Sequence, residues 1–314
     1  MTLDNIKEEI EKAKKIVILT HENPDGDAIG SSLAMYEALK SIGKDVDVII
    51  PEYSKTFAFL PNADEIKEYS NETYDLAIAV DCAEIKRLNG WSNYFEDAKT
   101  TISIDHHGSN KMFADYNYVD PVAPACAQIL VVILQFLEIE ITKKIGTCLL
   151  TGIITDTGGF KYSGVNTETF EFAAWLLRIG VNVSDIYKRV LQVKTKPNFE
   201  LSRLVINRLE FLENGKITFT YITKEDERNV NANTGDHEGL VEIGRDIEGV
   251  EVSVFLRETD NGFKASLRSN NKVNVSDVCI MFNGGGHPRA AGCYVSGTLE
   301  EAKEKIISHL KKYL

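Results

Sequence analysis

Between residues 16 and 160, compact apolar runs at 16–20, 46–50, 76–80 and 101–104 alternate with longer stretches, about 27–42, 124–138 and 143–156, that have a helical texture. Short, nearly continuous apolar runs predict strands buried on both faces, and the helical stretches between them predict the layers that cover those faces. The expectation is an α/β unit built on a mostly parallel sheet. A helical period continues over 167–180 and stops at Gly180, and the segment 186–213 is rich in helix formers and charges with Pro197 near its middle. It reads as a helical connector with a break. From Lys216 the texture changes to shorter alternating strands, among them 251–258 and 262–269 joined at Asp260-Asn261-Gly262, a strong hairpin signal. Helices follow at about 275–283 and 298–313, so the C-terminal part is expected to be a smaller α+β domain. The expected boundaries are 1–185, 186–213 for the connector, and 214–314.

A chain of 314 residues suits two domains of moderate size. The segment Leu3 to Lys15 reads as a charged amphipathic helix rather than a signal peptide, and the longest greasy stretch, Ile129 to Leu137, is interrupted by Gln135 and too short to span a bilayer. Five cysteines without a C-x-x-C spacing argue against a disulfide framework and for a cytoplasmic location. The formal net charge of -12 argues against binding long duplex nucleic acid, which relies on an excess of Lys and Arg. It leaves room for short anionic substrates, because several acids would be consumed as metal ligands.

The chemistry gathers where apolar segments end. His21-Glu22-Asn23-Pro24-Asp25-Gly26-Asp27 follows the first run, Asp81 follows the third, Asp105-His106-His107 follows the fourth, and Asp156 stands in Gly152-Ile153-Ile154-Thr155-Asp156-Thr157. In an open α/β sheet the carboxyl ends of strands converge on one crevice, so four such tips assemble one pocket of carboxylates and imidazoles. Without cations, Asp25, Asp27, Asp81 and Asp156 would repel one another and their pKa values would rise. That is the composition of a two-metal hydrolytic site, with Asp81 the best candidate for a shared ligand. The plain alternative is that these are helix caps, turn residues and surface histidines, which would not be expected to coincide at four tips. Two histidines among carboxylates favour Mn²⁺ over Mg²⁺.

These motifs, together with Gly284-Gly285-Gly286-His287-Pro288-Arg289-Ala290-Ala291-Gly292 near the C-terminus, resemble the DHH phosphoesterase superfamily with its DHHA1 domain. Within it the nearest resemblance is to the stand-alone bifunctional oligoribonuclease and pAp phosphatase group, the nanoRNases. The resemblance implies that His21 and Asp25 hold one metal and Asp27, His106 and Asp156 the other, with Asp81 between them. His107 is then free of metal, to stabilise charge on the scissile phosphate or protonate the leaving oxygen. Asp105 is expected behind the ligands, orienting an imidazole. The resemblance also implies manganese, and a substrate-binding role for Arg268, Ser269, Gly284, Gly285, Gly286, His287 and Arg289. Glycines let backbone N–H groups approach an anion, and Arg recognises phosphate.

The expected activity is Mn²⁺-dependent hydrolysis of 3′-phosphoadenosine 5′-phosphate (pAp) and of short RNA oligonucleotides. Alternatives are cleavage of cyclic or linear dinucleotides such as c-di-AMP and pApA, or a non-catalytic nucleotide sensor. A homodimer is compatible with the sequence. His237 reads as a solvated residue at a helix start. Pro124-Ala125-Cys126-Ala127-Gln128 departs from the small-hydroxyl-acid pattern that nanoRNases often carry there.

Overall fold

The computed structural model describes residues 3–162, 164–233 and 235–314. The chain divides into two compact units between Val193 and Lys194. The first runs α1 (Leu3–Lys12), β1 (Lys15–Leu19), α2 (Gly26–Ser41), β2 (Asp45–Ile49), β3 (Ile66–Lys67), β4 (Leu76–Val80), α3 (Ser92–Glu96), β5 (Thr100–Asp105), β6 (Tyr116–Val119), α4 (Cys126–Phe136), α5 (Lys143–Asp156), α6 (Thr167–Arg178) and α7 (Val183–Tyr187). All six strands are parallel, in the order β3-β2-β1-β4-β5-β6.

Period-2 alternation sends Ile16 and Ile18 of β1 to one face, with Ile29 and Leu33 of α2, Leu130 of α4 and Leu149 of α5. Val17 and Leu19 point to the other face, against Leu88 and Phe95. Each face of the sheet is therefore covered, the first by long helices and the second by α3 and the irregular segment before it. Thirteen of the sixteen residues of α2 are buried, and a Cβ added at Gly30 would stand 2.5 Å from the Cys148 carbonyl oxygen of α5. Glycine there is what lets the two helices cross at backbone contact. Strand order reverses between β1 and β4, so the loops after these strands flank the switch point where open α/β sheets bind ligands.

Two strands escape the apolar pattern: β3 has only two residues, and β6, Tyr-Asn-Tyr-Val, is half-buried along its whole length. One site residue changes setting. Asp156, expected at a strand tip, is the last residue of helix α5, so the pocket is fed by three strand ends and one helix end.

The second unit runs α8 (Lys196–Asn207), β7 (Glu210–Leu212), β8 (Ile217–Ile222), α9 (Lys224–Val230), α10 (Leu240–Arg245), β9 (Val252–Thr259), β10 (Gly262–Ser269), α11 (Val275–Ile280), β11 (Gly285–His287), β12 (Ala290–Ser296) and α12 (Leu299–Leu310). Its mixed sheet has the order β11-β12-β10-β9-β8-β7. The β9–β10 hairpin turns over Asp260-Asn261, with Thr259 opposite Gly262. The stretch 186–213 does not form a body of its own. Its helical turn at Lys188–Gln192 falls in the first unit, whereas α8 belongs to the second, with Leu201 and Val205 buried against Ile222 and Leu240. Pro197 sits in the first turn of α8 behind the Thr195 cap, where a missing N–H costs nothing, so it starts a helix instead of breaking one. Among the described residues no helix is long and apolar enough to cross a membrane.

Candidate metal centre

His21 and Asp25 lie on the loop between β1 and α2, and Asp25 is the N-cap of α2: its Oδ1 accepts from the amides of Asp27 (3.0 Å) and Ala28 (3.1 Å). Capping and metal binding are thus compatible roles for one carboxylate, because Oδ2 remains. Asp27, fully buried in the first turn of α2, accepts from Cys126 N (2.6 Å), Ala127 N (2.9 Å) and Ser31 Oγ (3.0 Å). The start of α4 has no side-chain cap of its own on Ala125. Asp27 supplies one from another helix, which accounts for the plain Ala125-Cys126-Ala127 sequence there.

Asp81 stands just beyond β4 with φ +55°, its amide donating to the Ile104 carbonyl of β5. Its Oδ1 is buried and makes no hydrogen bond. Around the two oxygens of this carboxylate gather three imidazoles: His106 Nε2 and His107 Nδ1 each lie 3.5 Å from Oδ1, and His21 Nε2 lies 3.8 Å from Oδ2. His106 Nε2 is also 3.4 Å from Asp156 Oδ2.

The imidazole tautomers follow from what the other ring nitrogen meets. His106 Nδ1 faces the Ala123 carbonyl at 3.2 Å, and His21 Nδ1 faces the Glu22 carbonyl at 2.8 Å. Each Nδ1–H donates to a carbonyl, leaving Nε2 with a lone pair aimed at the acids. Arg87 Nη2 also stands 3.2 Å from His21 Nδ1, but a nitrogen that donates to Glu22 cannot accept from Arg87 as well, and the shorter contact decides. His107 differs: Nδ1 is 2.8 Å from Asp105 Oδ1. Asp105 is fully buried and spent, since Oδ1 also accepts from His106 N (2.9 Å) and Oδ2 from the Asn110 amide (2.7 Å).

One ligand atom each from His21, Asp25 and Asp81, and likewise from Asp27, His106 and Asp156, come within 4.8 Å of one another. The donor sets and the orphaned Asp81 oxygen fit divalent cations. So does the electrostatics of the side chains alone. Burial pushes the Asp81 carboxyl far above the ordinary carboxylate range, reinforced by Asp27 and Asp25, and desolvation does the same to Asp156. Asp27 is raised by burial, while His21 is lowered by it. Asp25 departs from the expected rise: burial pushes it up, but His21 and the Ala28 and Asp27 amides outweigh burial and hold it below the ordinary range. For His106, burial is outweighed by Asp156 and Asp27, and the imidazole is raised. Buried acids held against their ionisation are what bound cations relieve.

The second unit holds the remaining predicted residues. Gly284 through Arg289 is neither a loose helix end nor an open cradle: β11 pairs with β12, and Pro288-Arg289 forms the turn between His287 and Ala290. Gly284 N donates to the Cys279 carbonyl at 2.9 Å, and a Cβ there would lie 2.2 Å from the Gly292 oxygen. Gly286 has φ +141° and would bring a Cβ to 2.5 Å from the Ala290 oxygen. At Gly285 an added Cβ meets nothing within 4 Å. Arg268 pairs with Glu242 (Nε to Oε1, 2.8 Å), and Arg289 is exposed with Nη1 on the Val273 carbonyl (2.9 Å). Ser269 is buried, its hydroxyl donating to the same carbonyl at 2.6 Å, so it faces a backbone oxygen instead of an open surface. His237 is half-buried and paired instead of fully solvated: Nε2 meets Glu227 Oε1 at 2.6 Å, and α10 begins only at Leu240.

Reasoning from the sequence missed Ser31, Arg87, Asn110 and the α4 amides. Ser31 lies one helical turn beyond Asp27 and was detectable from that i,i+4 spacing. The others reach the site through the fold and leave no local signal.

Residues 15–153 match the DHH family, N-terminal domain, and residues 214–314 match the DHHA1 domain. The bifunctional oligoribonuclease and PAP phosphatase NrnA of Thermus thermophilus is 35% identical over 305 residues, covering 95% of this chain and 90% of that protein. The Bacillus subtilis protein of the same name is 26% identical over 290 residues, covering 89% of each. Among solved structures, an exopolyphosphatase-related protein from Bacteroides fragilis superposes with a TM-score of 0.91 at 31% identity, covering 99% of this chain and 96% of that one.

Proposed function

The chain belongs to the DHH family of phosphoesterases and carries its DHHA1 domain, and from that premise we propose a Mn²⁺-dependent two-metal hydrolase that cuts short oligoribonucleotides to mononucleotides and dephosphorylates pAp to AMP. The observation that carries the reading is Asp81: a buried carboxylate with an unpartnered oxygen, grouped with His21 and Asp25 and with that oxygen 3.5 Å from His106 Nε2 of the second group. Cations bound there would neutralise the acidic cluster and polarise the phosphoryl group and the attacking water.

In this reading His21 and Asp25 hold one cation, Asp27, His106 and Asp156 the other, and Asp81 both. The neutral Nε2 donors of His21 and His106 are fixed by the Glu22 and Ala123 carbonyls, and Asp27 is fixed by Ser31 and the first amides of α4. His107 is held by a different chain of contacts. Asn110 fixes Asp105 and Asp105 fixes His107 Nδ1, which orients the imidazole to contact the scissile phosphate and give a proton to the leaving oxygen. Arg289, His287, Arg268 and Gly285 are the substrate contacts, with Gly284 and Gly286 shaping the turn that presents them. All five cysteines are buried and unpaired, which supports a reducing compartment.

The test is a side-by-side assay of the purified protein with Mn²⁺ against pAp, a short RNA oligomer, c-di-AMP, pApA and pyrophosphate. Turnover of pAp and RNA is expected. Turnover of the cyclic dinucleotide alone would replace this substrate assignment, and binding without turnover of any of them would make the protein a sensor.

A further inference from the structure

The Arg289 side chain sits at a two-residue turn, exposed, and a long side chain there loses rotamer freedom when it grips a substrate. A hydrogen bond from Nη1 to the Val273 carbonyl at 2.9 Å selects an orientation in advance. That carbonyl belongs to a loop that is itself gripped. Glu251 Oε1 accepts from the backbone amides of Asn271 (3.2 Å), Lys272 (2.5 Å) and Val273 (3.0 Å), and Oε2 from the Asn271 side chain (3.3 Å). The Glu251 backbone is tied on both sides, its N to the Lys216 carbonyl at 2.8 Å and its carbonyl to Asn270 N at 2.9 Å. From the opposite side Ser269 Oγ donates to the Val273 carbonyl at 2.6 Å, and Ser269 N to the Arg289 carbonyl at 3.0 Å.

Three consecutive amides converging on one point form an anion nest. Here a carboxylate of the same chain fills it, so the loop is not a phosphate site. Burial pushes the Glu251 carboxyl up, but the amides of Val273 and Lys272 outweigh it and hold the group ionised below the ordinary range.

We propose that Glu251, acting through residues 271–273, is the positioning residue for the Arg289 guanidinium, with Ser269 bracing the same carbonyl. The inference rests on Arg289 being a substrate contact. Glu251→Ala frees the loop and lets Arg289 sample many rotamers, so KM for pAp should rise about five-fold, the scale of one lost net hydrogen bond. The value of kcat should stay within about two-fold, and hydrolysis of bis-p-nitrophenyl phosphate, which has no remote group to grip, should not change. Glu251→Gln keeps an accepting oxygen and should restore most of the affinity. The double variant Glu251→Ala/Arg289→Ala should bind no worse than Arg289→Ala, since both act on one contact.

Ser269→Ala gives the same reading should Glu251→Ala fail to fold. If Arg289→Ala raises KM while Glu251→Ala and Ser269→Ala leave it alone, or if the losses add, the positioning role is wrong and the substrate contact stands. If Arg289→Ala itself leaves KM unchanged, the substrate contact is wrong and the positioning role falls with it.

Discussion

Asp81 combines a left-handed backbone with a buried, unpartnered oxygen, two unfavourable features on one residue. Non-glycine residues in that region cost of order 1–3 kcal/mol and persist where the surroundings enforce them, here through the bond from Asp81 N to Ile104. Asp81→Ala is expected to abolish turnover and weaken binding of both cations by calorimetry. Loss of a single cation with activity retained would move the shared role elsewhere. His107→Ala removes an imidazole that Asp105 and Asn110 hold, and it should keep both metals while losing about 10²–10⁴ in kcat. Metal loss in that variant would mean that His106 and His107 exchange roles. The three adjacent glycines separate in the same way. Gly284→Ala and Gly286→Ala should lower the melting temperature, because each places a Cβ against backbone. Gly285→Ala meets open space, so it should melt like the parent and lose affinity for pAp. Unchanged affinity would remove Gly285 from the substrate contacts.

At the level of elements, the junction of α8 and α9 shows how a charge can join two helices. Asp226 caps α9 through Thr223 and receives Arg208, at the end of α8, on both oxygens, with the Arg208 guanidinium also over the Tyr221 ring. Burial would raise the Asp226 carboxyl, but Arg208 and Thr223 prevail and hold it at about 2. A folded-state value below the unfolded one contributes stability above the unfolded value of about 3.9, and the contribution is lost as pH falls toward 2. Asp226→Asn should therefore cost about 1–2 kcal/mol at pH 7, allowing for screening at a partly open site, and close to nothing near pH 2. Urea melts at the two pH values check this, and a pH-independent difference would assign the cost to the cap. Neither α9 nor α10 was legible in the sequence, since seven and six residues give too little period to read. The four central strands and the long helices of the first unit were legible, because burial on both faces writes long apolar runs. Ligand types at strand ends were legible as well. Their supports were not: Asn110, Arg87 and the α4 amides arrive by tertiary proximity, and Asp156 read as one more tip until α5 supplied it from a helix end.

For the whole molecule, a net charge of -12 is partly a consequence of storing acids around cations. Chelation should return that repulsion and lower the melting of the first unit, by the mass-action loss of a ligand that binds only the folded state. The second unit, with its own core around Phe219, Val254 and Leu267, should melt unchanged. Differential scanning calorimetry with and without EDTA, followed by Mn²⁺ return, tests both halves of the statement, and an unaltered first transition would argue against structural coupling of the metals. Both sheets also end on their shortest strands. The outer strands are β3 with two residues and β6 with four in one sheet, and β11 and β7 with three each in the other, whereas those inside have five to eight. A stray chain seeking to extend either sheet finds a template too brief to hold it, and Lys67 on β3, Glu210 on β7 and Pro288 directly after β11 guard the same borders, so this protein is built to stay dispersed at high concentration.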